Sequence, residues 1–581
     1  MYTQHFRAAC ASLFASMMLA MTQASDPAAA VPAESLETET PIEHLIVIYQ
    51  ENASFFNYFA TYPVAENPLG DSATPPPFEA RPDTPSVNGL DNSLANFNPN
   101  LVNPFRIARL DSYTCDQNHD YQAELEARNQ GLMDMYVEFG ARPAKDPTQF
   151  CLEVEIGGTM TPVTDMGYFD GNTVTGLWNY AQYFAMSDNF FATMNGESAR
   201  GHINLIQADA YGALCTEVKK PEKVWVDDGL MVPPCNGPVD STTIMAPANE
   251  NLGTLVDDAN PFWDVCSEAD ETVAMSGRNI GDLLNDHGIT WGYFQGGFAL
   301  PSAPPAGCTV NQHPKVAYCE AIGNPSSCTS ELLADYVPHH NPFQYYQSTA
   351  NPMHLPPSST EMIGQTDQAN HLYDLTDFWD AAAIGNLPAV SFLKPPAYQN
   401  GHPGQSDPLD VQVFIVNTLN QLQQLPEWNS MAVFIAWDDS DGWYDHVMPP
   451  IINQSSTTFD MGADDQLLCG EQGAPELNPG ARCVYGPRTP FLVISPFAKE
   501  NYVSSVLNDQ TSIARFIEDN WLGGERIADG TGVFPESFDA KAGSLMDFFD
   551  FSTAGKGQGH KTQRQIFLDP TTGLVLKQPP N

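Results

Sequence analysis

Short apolar runs alternate with amphipathic stretches along most of this 581-residue chain. The runs His44–Gln50, 289–294, 387–392, Met431–Trp437 and 490–494 are bounded by turn residues and predict buried strands. Segments 121–139, 411–425 and 509–521 carry apolar residues at three- and four-residue spacing. That spacing predicts helices, with Asp509 and Thr511 available as caps for the last. Strands alternating with helices predict an α/β fold: a mostly parallel central sheet with helices on both faces. Segments 67–103, 212–260 and 301–327 are rich in turn-forming residues and read as irregular surface loop. The last two read as long insertions in a single domain spanning 41–581, and no internal repeat is visible.

The first 24 residues read as an export signal: Arg7, an apolar stretch over 8–20, then Thr22 and Ala24 before the expected cut. Residues 25–40 read as a flexible leader, with order beginning near Pro41. No later segment is a long enough apolar run to span a bilayer, so no transmembrane segment is expected in the mature chain. Removing the signal takes Cys10 and leaves ten of the eleven cysteines. An even number in an exported chain predicts disulfides and a periplasmic or secreted location. Local bridges such as Cys319 to Cys328 or Cys469 to Cys483 are expected, and structural zinc is the weaker alternative because no CxxC pair occurs.

Acidic residues number 71 against 24 basic ones, for a formal charge of −47. Such a surface repels polyanions, so nucleic acid is not an expected partner. Hydrophobic residues at 42% and aromatic residues at 11% are enough to build a core.

Two of the predicted strands run directly into oxygen ligands, Glu51-Asn52 and Asp438-Asp439. Side chains at the carboxyl ends of strands in an open α/β sheet face the ligand crevice, so these four donors could meet at one metal. A carboxylate after a strand also serves as an ordinary turn or cap residue. An all-oxygen set suits Mg²⁺, Ca²⁺ or Mn²⁺, with Zn²⁺ as the alternative. An EF-hand is a poor fit, because aligning Gly442 with the loop glycine puts Trp437 and Met448 where ligands belong. Ser198 lies in a glycine-flanked turn after an apolar run, but Arg200 occupies the place of the second glycine of a GxSxG elbow. His119, His339, His340, His402 and His446 sit in polar settings where imidazolium could hold phosphate or protonate a leaving group.

Together these segments resemble the bacterial phosphoesterase family of secreted acid phosphatases and phosphatidylcholine-type phospholipases C. The resemblance runs through Ile42 to Phe55, Cys115 with His119 and Tyr121-Gln122, Ser187 to Phe191 leading to Ser198, and Leu387 to Phe392. It continues through Pro338 to Phe343, Gly401 to Gly404, Trp437 to Val447 and Gly486 to Ala498. It implies an alkaline-phosphatase-like α/β fold and one divalent metal held by Glu51, Asn52, Asp438 and Asp439. Ser198 would be the nucleophile, and His119, His340 and His402 would line the phosphate site, His340 being preferred to His339 by its place before Asn-Pro-Phe. Arg200 and His202 are assigned to phosphate, with a surface ion pair as the alternative for Arg200.

The chain departs from the family's Asp-Glu-Asn-Gly-Gly turn with Asp438-Asp439-Ser440-Asp441-Gly442, has Ala53 where Arg is usual, and carries Glu197 and Arg200 around Ser198. The expected activity is hydrolysis of small phosphate esters, as an acid phosphatase working through a phosphoserine. Family phospholipases C often carry C-terminal β modules, and a chain that stops soon after Val575 favours the phosphatase. The alternatives are a phospholipase C acting on phospholipid head groups and, in another class, a non-catalytic cation-binding surface protein.

Overall fold

A computed structural model describes residues 33–66, 76–216, 244–245, 253–267, 272–301, 308–321, 323–324, 327–455, 460–462, 466–470, 475–477, 482–528, 537–553 and 564–577. Eight strands form the central sheet: β1 His44–Gln50, β2 Ala185–Ser187, β3 Trp291–Gln295, β4 Leu372–Asp374, β5 Val390–Lys394, β6 Met431–Trp437, β7 Phe491–Ile494 and β8 Tyr502–Ser504. Their spatial order is β4-β3-β5-β1-β6-β7-β2-β8. Only β7 runs against the others, so the sheet is mostly parallel as expected.

Every residue of β1 and β6 is buried, which is why their sequences are continuous apolar runs rather than alternating ones. Each large apolar side chain so buried contributes ~1.5–3 kcal/mol, enough to offset the ~1–2 kcal/mol cost of ordering its backbone. Helices α1 Thr175–Tyr183, α2 Ser198–Gln207, α3 Pro408–Leu422 and α4 Thr511–Trp521 pack in pairs, α1 with α3 and α2 with α4. Tyr49 Oη donates to Gly201 O at 2.9 Å and fixes α2 on one face of the sheet. On the other face, Trp437 meets the Tyr58 ring edge-on, and Trp178 Nε1 of α1 donates to Tyr58 O. Asp407 caps α3 through the amides of Leu409 and Asp410, and Asp509 Oδ1 accepts from Thr511 N at 2.7 Å at the start of α4.

Three expectations are corrected. The helix expected over 121–139 breaks into Tyr121–Ala127 and Tyr136–Phe139, because Gln130 and Met133 take left-handed φ of 53° and Gly131 takes 97°. Segment 212–260 is not all loop: Tyr211–Thr216 and Gly253–Leu255 belong to a second, five-stranded sheet, where Tyr211–Thr216 pairs antiparallel with Thr272–Met275. The expected signal lies outside the described residues, yet the leader is already packed from Ala33, and the Thr40 amide and hydroxyl donate to Asn520 Oδ1 of α4 at 2.9 and 2.8 Å.

Among the described residues four disulfides close, Cys115–Cys151, Cys266–Cys308, Cys319–Cys328 and Cys469–Cys483, including both expected local bridges. Cys235 lies outside the described residues. Among the described residues, no helix is long and apolar enough to cross a membrane.

Candidate active site

β1 and β6 are hydrogen-bonded neighbours in parallel register, Gln50 opposite Trp437, so Glu51-Asn52 and Asp438-Asp439 leave the same edge of the sheet side by side. Asn52 takes a left-handed φ of 49°, a conformation asparagine tolerates better than most residues. Its amide donates to Asp438 Oδ1 at 2.9 Å, which ties the two segments together.

Ser198 is the first residue of α2 rather than part of a turn; the turn ends at Glu197. Gly201, one helical turn in, allows this placement. A Cβ there would lie 2.3 Å from Asp438 O, so only glycine lets α2 approach the end of β6 so closely. The Ser198 Oγ consequently sits 3.0 Å from Glu51 Oε2, 3.2 Å from Asp439 Oδ2 and 3.3 Å from Asn52 Oδ1. One hydroxyl proton cannot serve three acceptors.

The carboxylates themselves are crowded. Burial and then the charge of Glu51 push Asp438 up to about 6, and burial with Asp438 beside it pushes Asp439 well above the carboxylate range. Asp438 Oδ2 is buried with no hydrogen-bond partner, and His202 Nε2 lies 3.7 Å away. Excess negative charge, an orphaned carboxylate oxygen and an oxygen-rich donor set fit a divalent cation held by Glu51, Asn52, Asp438 and Asp439.

Lys394, which ends β5 beside β1, is buried and bonds Glu51 Oε1 through Nζ. The sequence reading missed this residue. The signal was there in form, a charged residue closing a buried strand, but its meaning depends on β5 lying next to β1. His202 Nε2 lies 3.1 Å from Glu51 Oε1, and His340 Nε2 lies 3.3 Å from Glu51 Oε2. The two imidazoles stack at 5.3 Å, and with Glu51 they form a compact group able to ligate a metal. Burial, reinforced by Lys394, pushes both histidines well below their usual range, so they are neutral.

His119 and His402 occupy a second group with Asp116 and Asp441, their rings 6.0 Å apart. Burial alone would push His119 down, but Asp439, Asp441 and Asp116 together hold it well above the usual imidazole range. His119 Nδ1 lies 3.1 Å from Gln117 O and 3.4 Å from Asp441 Oδ1. Asp441 in turn accepts from Asn52 Nδ2 at 3.1 Å, joining the two groups. His339 is half-buried and faces Asp258 at 3.5 Å, whereas His446 stands apart, against Asn88 and the Phe56 ring.

Arg200 is buried, which rules out a surface ion pair. Gly196, at φ +94°, leaves room for its guanidinium, and Nη1 donates to Val256 O at 2.7 Å while Nε and Nη2 have no partner. Glu124, also missed by the sequence reading, accepts from Gly196 N at 2.5 Å and from the Ser440 hydroxyl, linking the turn before Ser198 to the loop after β6.

A non-hemolytic phospholipase C of Pseudomonas aeruginosa is 34% identical over 137 residues, covering 23% of this chain and 20% of that protein. The protein of the same name from Burkholderia pseudomallei is 36% identical over 145 residues, 23% of this chain and 19% of its own. The aligned part thus spans about a fifth of the length of these two relatives. Phospholipase C B of Mycobacterium tuberculosis is 23% identical over 495 residues, 82% of this chain and 73% of that protein. The Phosphoesterase family model matches residues 42–522, from two residues before β1 to the residue after α4. The chain therefore belongs to the phosphoesterase family.

Proposed function

We propose that the chain is a metal-dependent hydrolase of phosphoric esters, acting on small phosphomonoesters through a phosphoserine at Ser198. The observation that carries this reading is the Ser198 hydroxyl seated at 3.0–3.3 Å among Glu51, Asp439 and Asn52 at the start of a helix. A divalent cation on Glu51, Asn52, Asp438 and Asp439 would supply charge neutralisation and lower the pKa of the serine hydroxyl. The N-terminus of α2 favours an anion at the same point. Ser198 Oγ attacks phosphorus after losing its proton, for which Glu51 Oε2 is the nearest acceptor. The ester P–O bond breaks and the alcohol leaves with a proton from His119, which its carboxylate neighbours keep charged. Water then cleaves the phosphoserine. His340, His402 and Arg200 line the phosphate position, and His202 acts through Glu51 and Asp438 by fixing their orientation.

An oxygen-only set favours Mg²⁺, Ca²⁺ or Mn²⁺, while the imidazoles beside Glu51 support Zn²⁺ as the alternative. The parallel strands delivering these ligands support an alkaline-phosphatase-like fold, and the main hydrophobic core, which runs from Ala33 to Leu568, supports a single domain over 41–581. Four disulfides support a periplasmic or secreted location. A phospholipase C acting on phosphodiesters is the second reading, favoured by the names of the relatives. Parallel assays with p-nitrophenyl phosphate and p-nitrophenylphosphorylcholine separate the two: faster turnover of the monoester supports the phosphatase, and faster turnover of the choline diester replaces it with the phospholipase. Acid-quenched enzyme should yield a phosphopeptide containing Ser198.

A further inference from the structure

One loop of the second sheet reaches the nucleophile and is used by none of the steps above. Residues 256–258 follow the strand Gly253–Leu255, and two of them bond the first turn of α2. Val256 O accepts from Arg200 Nη1 at 2.7 Å, and Asp258 Oδ1 accepts from Ala199 N, the residue after Ser198, at 2.9 Å. Glu197, the N-cap residue of α2, makes no side-chain cap of its own; its Oε2 accepts instead from Asp258 N at 2.9 Å. The start of the nucleophile helix is therefore capped from a distant segment of the chain, and by a carboxylate.

That carboxylate keeps its charge. Asp258 is half-buried, and its second oxygen, Oδ2, faces His339 Nε2 at 3.5 Å. Burial alone would push its carboxyl up, but His339, the Ala199 amide, His119 and Arg200 outweigh burial and hold it below the usual carboxylate range. His119 and Arg200 are the groups assigned above to the departing oxygen and the phosphate, so Asp258 draws on the same cations that a phosphate needs. Arg200 is buried with Nε and Nη2 unpartnered, and its one bonded nitrogen is held by the loop that carries Asp258. A helix N-terminus turns roughly half a positive charge toward an anion, and here one of its first amides is already taken. An entering phosphate meets a repulsion proportional to its own charge, so a doubly charged group is opposed twice as strongly as a singly charged one.

We propose that Asp258 is a specificity-determining residue, a charge filter beside Ser198 that admits phosphate groups bearing one negative charge in preference to those bearing two. The inference rests on the phosphoesterase reading and narrows it. An alkyl monoester loses its second proton near a pH of about 6, as phosphoserine does, so monoesters react as monoanions on the acid side of that value, whereas diesters carry one charge throughout.

The test measures binding to the Mn²⁺-loaded protein by calorimetry at about pH 8, where methyl phosphate is a dianion and dimethyl phosphate, of similar size, a monoanion. Wild type should bind dimethyl phosphate at least as tightly as methyl phosphate, a comparison that needs no variant. Asp258→Asn removes the charge and keeps an acceptor for Ala199 N. Relative to wild type it should bind methyl phosphate about tenfold more tightly and dimethyl phosphate about threefold, the two-to-one ratio of logarithms that charge alone dictates. Equal gains for the two anions, or no gain for either, overturn the filter. So does a wild type that binds methyl phosphate about tenfold or more tightly than dimethyl phosphate. If neither anion binds wild type or variant, the phosphate site itself is refuted and the filter falls with it. If the two-to-one pattern appears in protein that hydrolyses neither monoesters nor diesters, the filter stands and the catalytic reading fails.

Discussion

The group around Ser198 and the group around His119 lie within one hydrogen bond of each other, yet they are built in different ways. The first is carried by the ends of β1, β5 and β6 and the first residue of α2, and Ser198, Glu51, Asn52, Asp438, Asp439, Lys394, His202 and His340 are all buried. The second is carried by connections between elements, with Asp116 and His402 partly open to solvent. His119 is driven in the opposite direction from His202 and His340. Burial and Lys394 keep His202 and His340 neutral, whereas Asp439, Asp441 and Asp116 outweigh burial and keep His119 charged. In the proposed mechanism the neutral imidazoles beside Glu51 would serve a cation, and the charged His119 would serve an anion and a departing alkoxide. Asp441, bonded to both Asn52 and His119, is where the two meet.

The largest effects should come from the inner group. Ser198→Ala should lower turnover on the order of 10³-fold or more while bound metal, measured by plasma mass spectrometry, stays at the wild-type level. Asp438→Ala and Asp439→Ala should cost as much and lose the metal with it. Full activity in any of the three, or metal loss in the serine variant, would dissolve the distinction between nucleophile and ligand.

His119→Asn should cost about 10²-fold in turnover, the scale of general-acid catalysis, with metal content unchanged. Metal loss here would show the outer group to be a second ligand set instead. With His119 as the proton donor, activity should fall as pH rises through a His119 pKa lying above the ordinary value of about 6.5, and that falling limb should vanish in the variant. An unchanged pH profile would remove His119 from the acid role.

A third effect concerns stability. Lys394→Met leaves buried Glu51 beside Asp438 without its cation, so metal-stripped protein should lose about 3–5 kcal/mol. Added Mn²⁺ should therefore raise the melting temperature more in this variant than in wild type; equal shifts would mean Lys394 is not the stand-in charge for Glu51. The smallest signal is spectroscopic. In metal-stripped protein, NMR should show His119 holding its proton to higher pH than a free imidazole, with His202 and His340 protonating only well below that value. Coincident titration of the three would contradict the contrast between the groups.

How much of this was legible depended on whether the signal was local. β1, β6 and their terminal oxygen ligands could be read because an apolar run and the residue that ends it are adjacent in sequence. The pairing of β1 with β6 could not, since it is a property of sheet order across nearly 400 residues. Lys394 was invisible for the same reason. After Val-Ser-Phe-Leu it looks like a charge leaving a strand for solvent, and only the β5–β1 register brings it to Glu51. A surface ion pair stayed open as the alternative for Arg200 because most arginines are exposed, and its burial goes with the left-handed turn at Gly196. Asp441 was legible only as added charge, because its bonds to Asn52 and Gln117 come from separate stretches of chain. The broken helix over 121–139 kept its apolar spacing but yielded to left-handed residues at 130, 131 and 133.

The most direct test is a crystal of the Mn²⁺-loaded protein soaked in orthovanadate, with the ion located by anomalous scattering. The account predicts one Mn²⁺ peak bounded by Glu51, Asn52, Asp438 and Asp439, with vanadium bonded to Ser198 Oγ. A peak held by Asp116, His119, His402 and Asp441 alone, or vanadium bound away from Ser198, would contradict it.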